Sequence, residues 1–229
     1  MVNNPITSVS MGKSNSYLIQ GTKGLILVDA GVKNKSKNLI RALDKLNADI
    51  SEIKLIIITH VHYDHVGSLN DIQKKSQAPV LVHKSEEKLL ALGATEFPKG
   101  TAVFSKAISK FANRFLRSQG EFRNVKADII IEDSFKLSDY GVEGEIIHTP
   151  GHTEGSLSII IDNKYCIVGD SLFNLFPNNL YPPFANDEEE LLKSWRRIKE
   201  YQCQTYYPGH GRSFTREEFE SSFIKVTNR

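Results

Sequence analysis

Three of the chain's seven histidines fall within six residues, in His60-Val61-His62-Tyr63-Asp64-His65. In an extended segment residues i and i+2 face the same side. His60 and His62 can therefore address one point while the following turn brings Asp64 and His65 round to it. Neutral imidazoles with a carboxylate are the donor set that suits zinc and comparable first-row metals. Three further candidates each follow an apolar run: His152 in Thr149-Pro150-Gly151-His152-Thr153, Asp170 in Val168-Gly169-Asp170, and His210 in Pro208-Gly209-His210-Gly211. The glycine beside each lets the backbone turn sharply and approach a metal closely. One such histidine is weak evidence of ligation; the four segments together point to metal chemistry. His83 and His148 lack this company and read as structural, with His148 the better candidate to support a ligand because it precedes His152.

Donors of this kind belong on loops at the ends of rigid strands. Residues 16–20 and 25–28 are β-rich and separated by Gly21 and Gly24, which predicts a hairpin. Asp29-Ala30-Gly31 then turns into a helical pattern carrying Leu39, Ile40, Leu43 and Leu46. Residues 55–58 form a continuous apolar strand of the sort buried on both faces, and it stops at Thr59, directly before the histidine run. A helix over 67–75, a strand over 80–82 and a helix over 85–92, with Ser85 as its N-cap, follow. After Asp128 the spacing predicts strands at 129–131, 135–137, 144–147, 157–161 and 165–168. A helix over 188–201 burying Leu191, Leu192, Trp195 and Ile198 comes next, then a strand at 205–207 and a helix over 217–226. Each half supplies strands and then helices, so two sheets pack together with helices outside.

The whole chain is 229 residues, with 40% hydrophobic and 24% charged. That reads as a single domain over residues 1–229 with a modest insertion at about 93–126, large enough to bury a core without staples. A net charge of +2 is too weak to argue for nucleic acid or an anionic membrane surface. No apolar run approaches the roughly 20 residues of a membrane span. The first residues lack a secretory pattern, and Cys166 and Cys203 read as buried small hydrophobes of a reducing compartment. The expected location is cytoplasmic. The insertion carries Lys99, Lys106, Lys110, Arg114, Arg117 and Arg123, with Phe104, Ile108, Phe111 and Phe115 at helical spacing. The leading reading is a helix packing its apolar face on the core. A substrate-covering or homodimer-forming insertion comes second, and membrane binding a distant third.

The series His60-x-His62-x-Asp64-His65, His152, Asp170 and His210 resembles the five-motif pattern of the metallo-β-lactamase superfamily. Asp29-Ala30-Gly31 is similar to its first motif, and the match runs from about Ser16 to Gly211. The resemblance implies an α+β fold, a four-layer αββα sandwich with two divalent metal ions at one edge, zinc first, with iron or manganese also open. By the same resemblance His60, His62 and His152 would hold one ion, Asp64, His65 and His210 the other, and Asp170 both. A metal-bridging hydroxide would be the nucleophile, with Asp64 as the catalytic group for proton transfer and Asp29 in support.

Departures from the pattern narrow the branch. Zinc β-lactamases typically carry Cys or Ser where Asp170 stands, and diiron flavoproteins carry Glu where His62 stands. Glyoxalase II enzymes have basic residues soon after the bridging aspartate and a long C-terminal region, both missing here. Acyl-homoserine lactonases place a tyrosine where Phe173 stands. A hydrolase of esters, thioesters or lactones remains the leading expectation. The alternatives are a phosphodiesterase or nuclease, which the basic insertion favours, and a persulfide-type dioxygenase or metal-dependent binding module. Phe173, Phe176, Tyr181 and Phe184, with Pro177, Pro182 and Pro183, follow Asp170 closely. They predict a wall for a small-molecule substrate with an apolar acyl or aromatic group, or else core filling.

Overall fold

A computed structural model describes residues 4–95, 97–115, 120–176 and 179–228, with the side chains at 103, 108 and 112–115 outside that description. The first sheet contains β1 (Ile6–Ser10), β2 (Asn15–Gly21), β3 (Gly24–Val28), β4 (Ile53–Ile57), β5 (Val80–His83) and β6 (Ile129–Ile131), in sequence order. Its first three strands run antiparallel through tight turns; β3 to β6 are parallel. Parallel neighbours need crossovers, and helices provide them. These are α1 (Ser36–Lys45), the short α2 (Tyr63–Val66), α3 (Leu69–Ser76), α4 (Lys84–Leu92) and α5 (Val103–Phe115). The second sheet holds β7 (Ser134–Lys136), β8 (Gly144–His148), β9 (Leu157–Ile161), β10 (Tyr165–Gly169), β11 (Thr205–Pro208) and β12 (Phe214–Thr215), in the order β12-β11-β10-β9-β8-β7. Only β10 and β11 are parallel in it, joined through α6 (Glu188–Glu200); α7 (Arg216–Thr227) closes the chain.

Side-chain alternation makes the layers. In β3, Ile26 and Val28 enter an apolar cluster shared with Ile146, Ile159, Ile161 and Ile167 of the second sheet. Leu25 and Leu27 point the other way, into a cluster with Leu39 and Leu43 of α1, Ile72 of α3 and Leu90 of α4. Ile160 and Cys166 likewise turn outward, to Leu191, Trp195 and Ile198 of α6 and Phe219 of α7. The result is the four-layer αββα sandwich.

Several local expectations need correction. β1 is not legible in the sequence, because Ile6-Thr7-Ser8-Val9-Ser10 carries only two apolar residues. The helix expected to start at Ser85 starts at Lys84, so the cap position falls to His83, whose Nδ1 accepts the Ser85 N–H at 3.1 Å. Leu192 is only half-buried. On α5, Phe104 and Phe111 are 77% and 57% exposed, so at these positions the helix does not pack an apolar face on the core. The side chains of Ile108 and Phe115 lie outside the described residues. Among the described side chains of residues 93–126, Phe122 and Val125 join the cluster on the α1 side of the first sheet. Cys166 and Cys203 are buried and unpaired by a disulfide. Among the described residues no helix is long and apolar enough to cross a membrane.

Candidate metal centre

Beyond Ile57 the chain leaves β4 and bends, so His60 and His62 converge across a kink rather than along a strand. Asp29 fixes that kink. It sits at the end of β3 in left-handed backbone (φ 61°), a conformation a short polar side chain tolerates. Its carboxylate accepts the Thr59 N–H and hydroxyl, each at 2.8 Å, and the His65 Nδ1–H at 2.8 Å. One turn of helix, α2, swings Asp64 and His65 back over His60, and Ser14 Oγ donates to the Asp64 carbonyl. His152 follows β8, Asp170 directly follows β10, and His210 follows β11.

All seven residues meet at this edge of the sandwich. The rings of His60, His62 and His152 stand mutually edge-on, with centroids 4.6–4.9 Å apart. Asp170 is central: Oδ2 lies 3.7 Å from His60 Nε2, 3.5 Å from His152 Nε2 and 3.3 Å from His210 Nε2, and Oδ1 lies 3.4 Å from His65 Nε2. Asp64 Oδ2 is 3.5 Å from His210 Nε2. Among the described residues three groups could each hold a cation, with donor atoms within 4.8 Å of one another: His60, His62 and His152; His60, His65 and Asp170; Asp64, His65 and His210.

The donors fit such an occupant. His60 Nε2, His65 Nε2 and Asp170 Oδ1 are buried and have no hydrogen-bond partner in the protein. Leaving buried polar atoms unpaired is costly, so three converging on one point call for a ligand. The opposite ring nitrogens are committed: His65 Nδ1 to Asp29, His60 Nδ1 to Thr59 Oγ1 at 3.0 Å, and His152 Nδ1–H to the Phe184 carbonyl at 2.9 Å. Such partners orient imidazoles towards a metal and set the tautomer. Burial, then neighbouring imidazoles, hold His60 and His62 well below the usual histidine range, and burial lowers His152 too. Neutral imidazole is the form that ligates. For His65 and His210 burial opposes the charge, but the carboxylates together outweigh it and raise both, Asp170 with Asp29 at His65 and Asp170 with Asp64 at His210. Burial works to raise Asp170, yet His210 and His65 bring it well below the carboxylate range.

Packing around the donors is close. A Cβ at Gly209 would lie 2.2 Å from Asp170 Oδ1 and 2.8 Å from His65 Cε1. Glu86, buried on α4, accepts the Val61 N–H at 2.8 Å and the Gly155 N–H at 3.2 Å, tying the His60 loop to the His152 loop. Sequence reading missed this residue and the Phe184 carbonyl: one sits in a helix of surface-like composition, the other is a backbone atom. His83 and His148 stay out of the cluster; they stack at 4.0 Å, each with Nε2 bonded to a carbonyl, of Glu132 and Glu154.

Phe173 stacks on His210 at 4.7 Å and also lines an adjoining cavity of about 580 Å³. Leu175, Phe176, Tyr181, Pro182 and Leu192 add apolar surface there, and Thr101 and Ala102, just before α5, form part of its wall.

The sequence profile of the metallo-beta-lactamase superfamily matches residues 10–210. The chain is similar to a "Probable metallo-hydrolase MJ0888" of Methanocaldococcus jannaschii, 32% identical over 93% of this chain and 94% of that one. It is also similar to a "Probable metallo-hydrolase YflN" of Bacillus subtilis, 24% identical over 94% of this chain and 87% of that one. Among solved structures, the metallo-beta-lactamase family protein TTHA1429 of Thermus thermophilus shares the fold with a TM-score of 0.71, at 19% identity over 97% of this chain and 79% of that one. Matched along most of its length, and with five histidines and two aspartates gathered where two sheets meet, the chain belongs to the metallo-β-lactamase superfamily, a hydrolytic family.

Proposed function

We propose that the protein is a dinuclear metal-dependent hydrolase of carboxylic esters, thioesters or lactones with an apolar acyl group. The observation that carries this reading is the pairing of unsatisfied buried donors with an apolar cavity. His60 Nε2, His65 Nε2 and Asp170 Oδ1 lack partners in the protein, and among the described residues the neighbouring cavity has no lysine or arginine in its lining. His60, His62 and His152 would hold one ion, Asp64, His65 and His210 the second, and Asp170 would touch both. Two such ions, zinc being the first choice for this donor set, supply Lewis acidity and a water acidified towards neutrality.

The chain's own groups do the rest. Asp64 is the more exposed of the two carboxylates at the centre, so its free oxygen can meet the attacking water and take its proton. Phe173 offers a ring in place of a hydroxyl donor, holding His210 from one side and shaping the cavity beside it. Glu188 and Glu189 line the same cavity and disfavour a polyanion.

One observation favours a phosphodiester instead: a second cleft is lined by Lys99, Lys106 and Lys110, although Asp187 and Glu188 line it too. Hydrolysis of a thioester, a lactone and an aryl phosphodiester by the zinc-loaded protein separates the two. Acyl turnover is expected, abolished in Asp170→Ala and lowered about 10²–10⁴-fold in Asp64→Asn. Turnover of the phosphodiester alone would overturn the acyl reading.

A further inference from the structure

The stretch from Pro182 to Asp187 lies between the insertion and the loop that carries His152. On its inner edge, Asn186 N–H donates to the carbonyls of Gly151 and His152 at 2.9 and 3.1 Å, and Asp187 N–H to Gly151 at 2.9 Å. From this edge the Phe184 carbonyl accepts the His152 Nδ1–H. On its outer edge, Gly100 and Phe184 form an antiparallel bridge, and Ala185 N–H donates to the Lys99 carbonyl at 2.8 Å. Pro182 and Pro183 have no N–H, so carbonyls are the only backbone handles there. Thr101 takes both: its hydroxyl donates to the Pro182 carbonyl at 2.8 Å and its N–H to the Pro183 carbonyl at 3.0 Å. The gripping segment is itself held, by Ser109 Oγ donating to the Pro98 carbonyl at 2.6 Å. It is tightly seated as well, since a Cβ on Gly100 would lie 2.1 Å from the Lys106 backbone nitrogen.

We propose that Thr101 is a positioning residue for His152: the insertion segment 97–102 clasps the Pro182–Phe184 backbone, keeps the Phe184 carbonyl on His152 Nδ1, and so sets how firmly the His60, His62 and His152 group holds its metal. A carbonyl can only accept, so this contact places the proton on Nδ1 and leaves the Nε2 lone pair for the ion. Because Thr101 and Ala102 also line the apolar cavity, an occupant of the cavity touches the clasp directly. The insertion thus acts on the metal ligand as well as walling the substrate. The proposal rests on the metal-site reading above.

The test uses the full chain with Thr101→Val, which keeps the shape and removes the hydroxyl donor, and Thr101→Ser, which restores it. Zinc affinity is measured by competition with a chelator. Solvent exchange of each histidine N–H is followed by NMR in the metal-free protein. Thr101→Val should weaken one of the two zinc sites by about tenfold. It should speed exchange of the His152 Nδ1–H while leaving the Asp29-bound His65 Nδ1–H unchanged; Thr101→Ser should restore both. Wild-type affinity and exchange in Thr101→Val would overturn the clasp, as would equal acceleration at His152 and His65, which signals general loosening. If Thr101→Val does not fold, Ser109→Ala, which frees the Pro98 carbonyl, is read in the same way. A wild-type chain that binds no zinc would sink the metal reading, while the exchange data would still decide the clasp.

Discussion

Asp29 and Glu86 are buried carboxylates that serve the centre without belonging to its donor cluster. Asp29 accepts two bonds from Thr59 and one from His65, so the bend after β4 and the orientation of one imidazole depend on a single side chain. Glu86 is the counterpart across the site, with one oxygen on Val61 N–H and the other on Gly155 N–H. Charged acceptors make the stronger hydrogen bonds, and removing this one leaves two buried donors unsatisfied. Glu86→Ala should therefore cost roughly 2–4 kcal/mol of folding stability in urea titrations. Glu86→Gln retains one oxygen acceptor and should recover part of that loss. Equal stability of all three proteins would show that water or neighbouring groups satisfy those N–H groups.

The elements around the site differ in how far the sequence discloses them. The β3 and β4 runs and the histidine segment are readable because a strand buried on both faces needs continuous apolar residues and the donors are rare residue types. β1 and the His83 cap are not readable, since a weakly apolar edge strand and a ring nitrogen accepting one N–H leave no periodic mark. Phe104 and Phe111 of α5 have core-like spacing but are exposed, while among the described residues of the 93–126 stretch Phe122 and Val125 join the core and Gly100 bridges to Phe184. The Pro208-Gly209-His210 loop shows the strongest link between a sequence mark and the site. Gly209 N–H donates to the Gly169 carbonyl at 2.7 Å, drawing the ends of β10 and β11 together with no room for a Cβ beside Asp170. Gly209→Ala should accordingly keep the far-UV circular dichroism of the wild type while binding fewer metal ions by elemental analysis. A full metal complement in that variant would mean the loop can shift without moving Asp170 or His65.

At the scale of the whole molecule, the candidate donors come from both sheets. His60, His62, Asp64 and His65 follow β4 in the first sheet, whereas His152, Asp170 and His210 follow β8, β10 and β11 in the second. Bound ions would cross-link the two halves at one edge. The three apolar clusters contain none of these residues, so the sandwich has its own cohesion without metal. Ligands that bind only the folded state add about 2.7 kcal/mol per site at a free concentration of 100 Kd. Two sites would add about 5 kcal/mol, and at about 2–4 °C per kcal/mol for a chain of this size the melting temperature should fall by roughly 10–20 °C on chelation. The unfolding transition of the stripped protein should stay cooperative, with its secondary structure intact at room temperature. Collapse of the circular dichroism on chelation would instead make the ions part of the folding core. Asp170→Ala supplies the control: having lost the carboxylate placed between both donor groups, it should melt at nearly the same temperature with and without chelator. A variant still stabilised by zinc as strongly as the wild type would place the stabilising ion somewhere other than the junction of the two sheets.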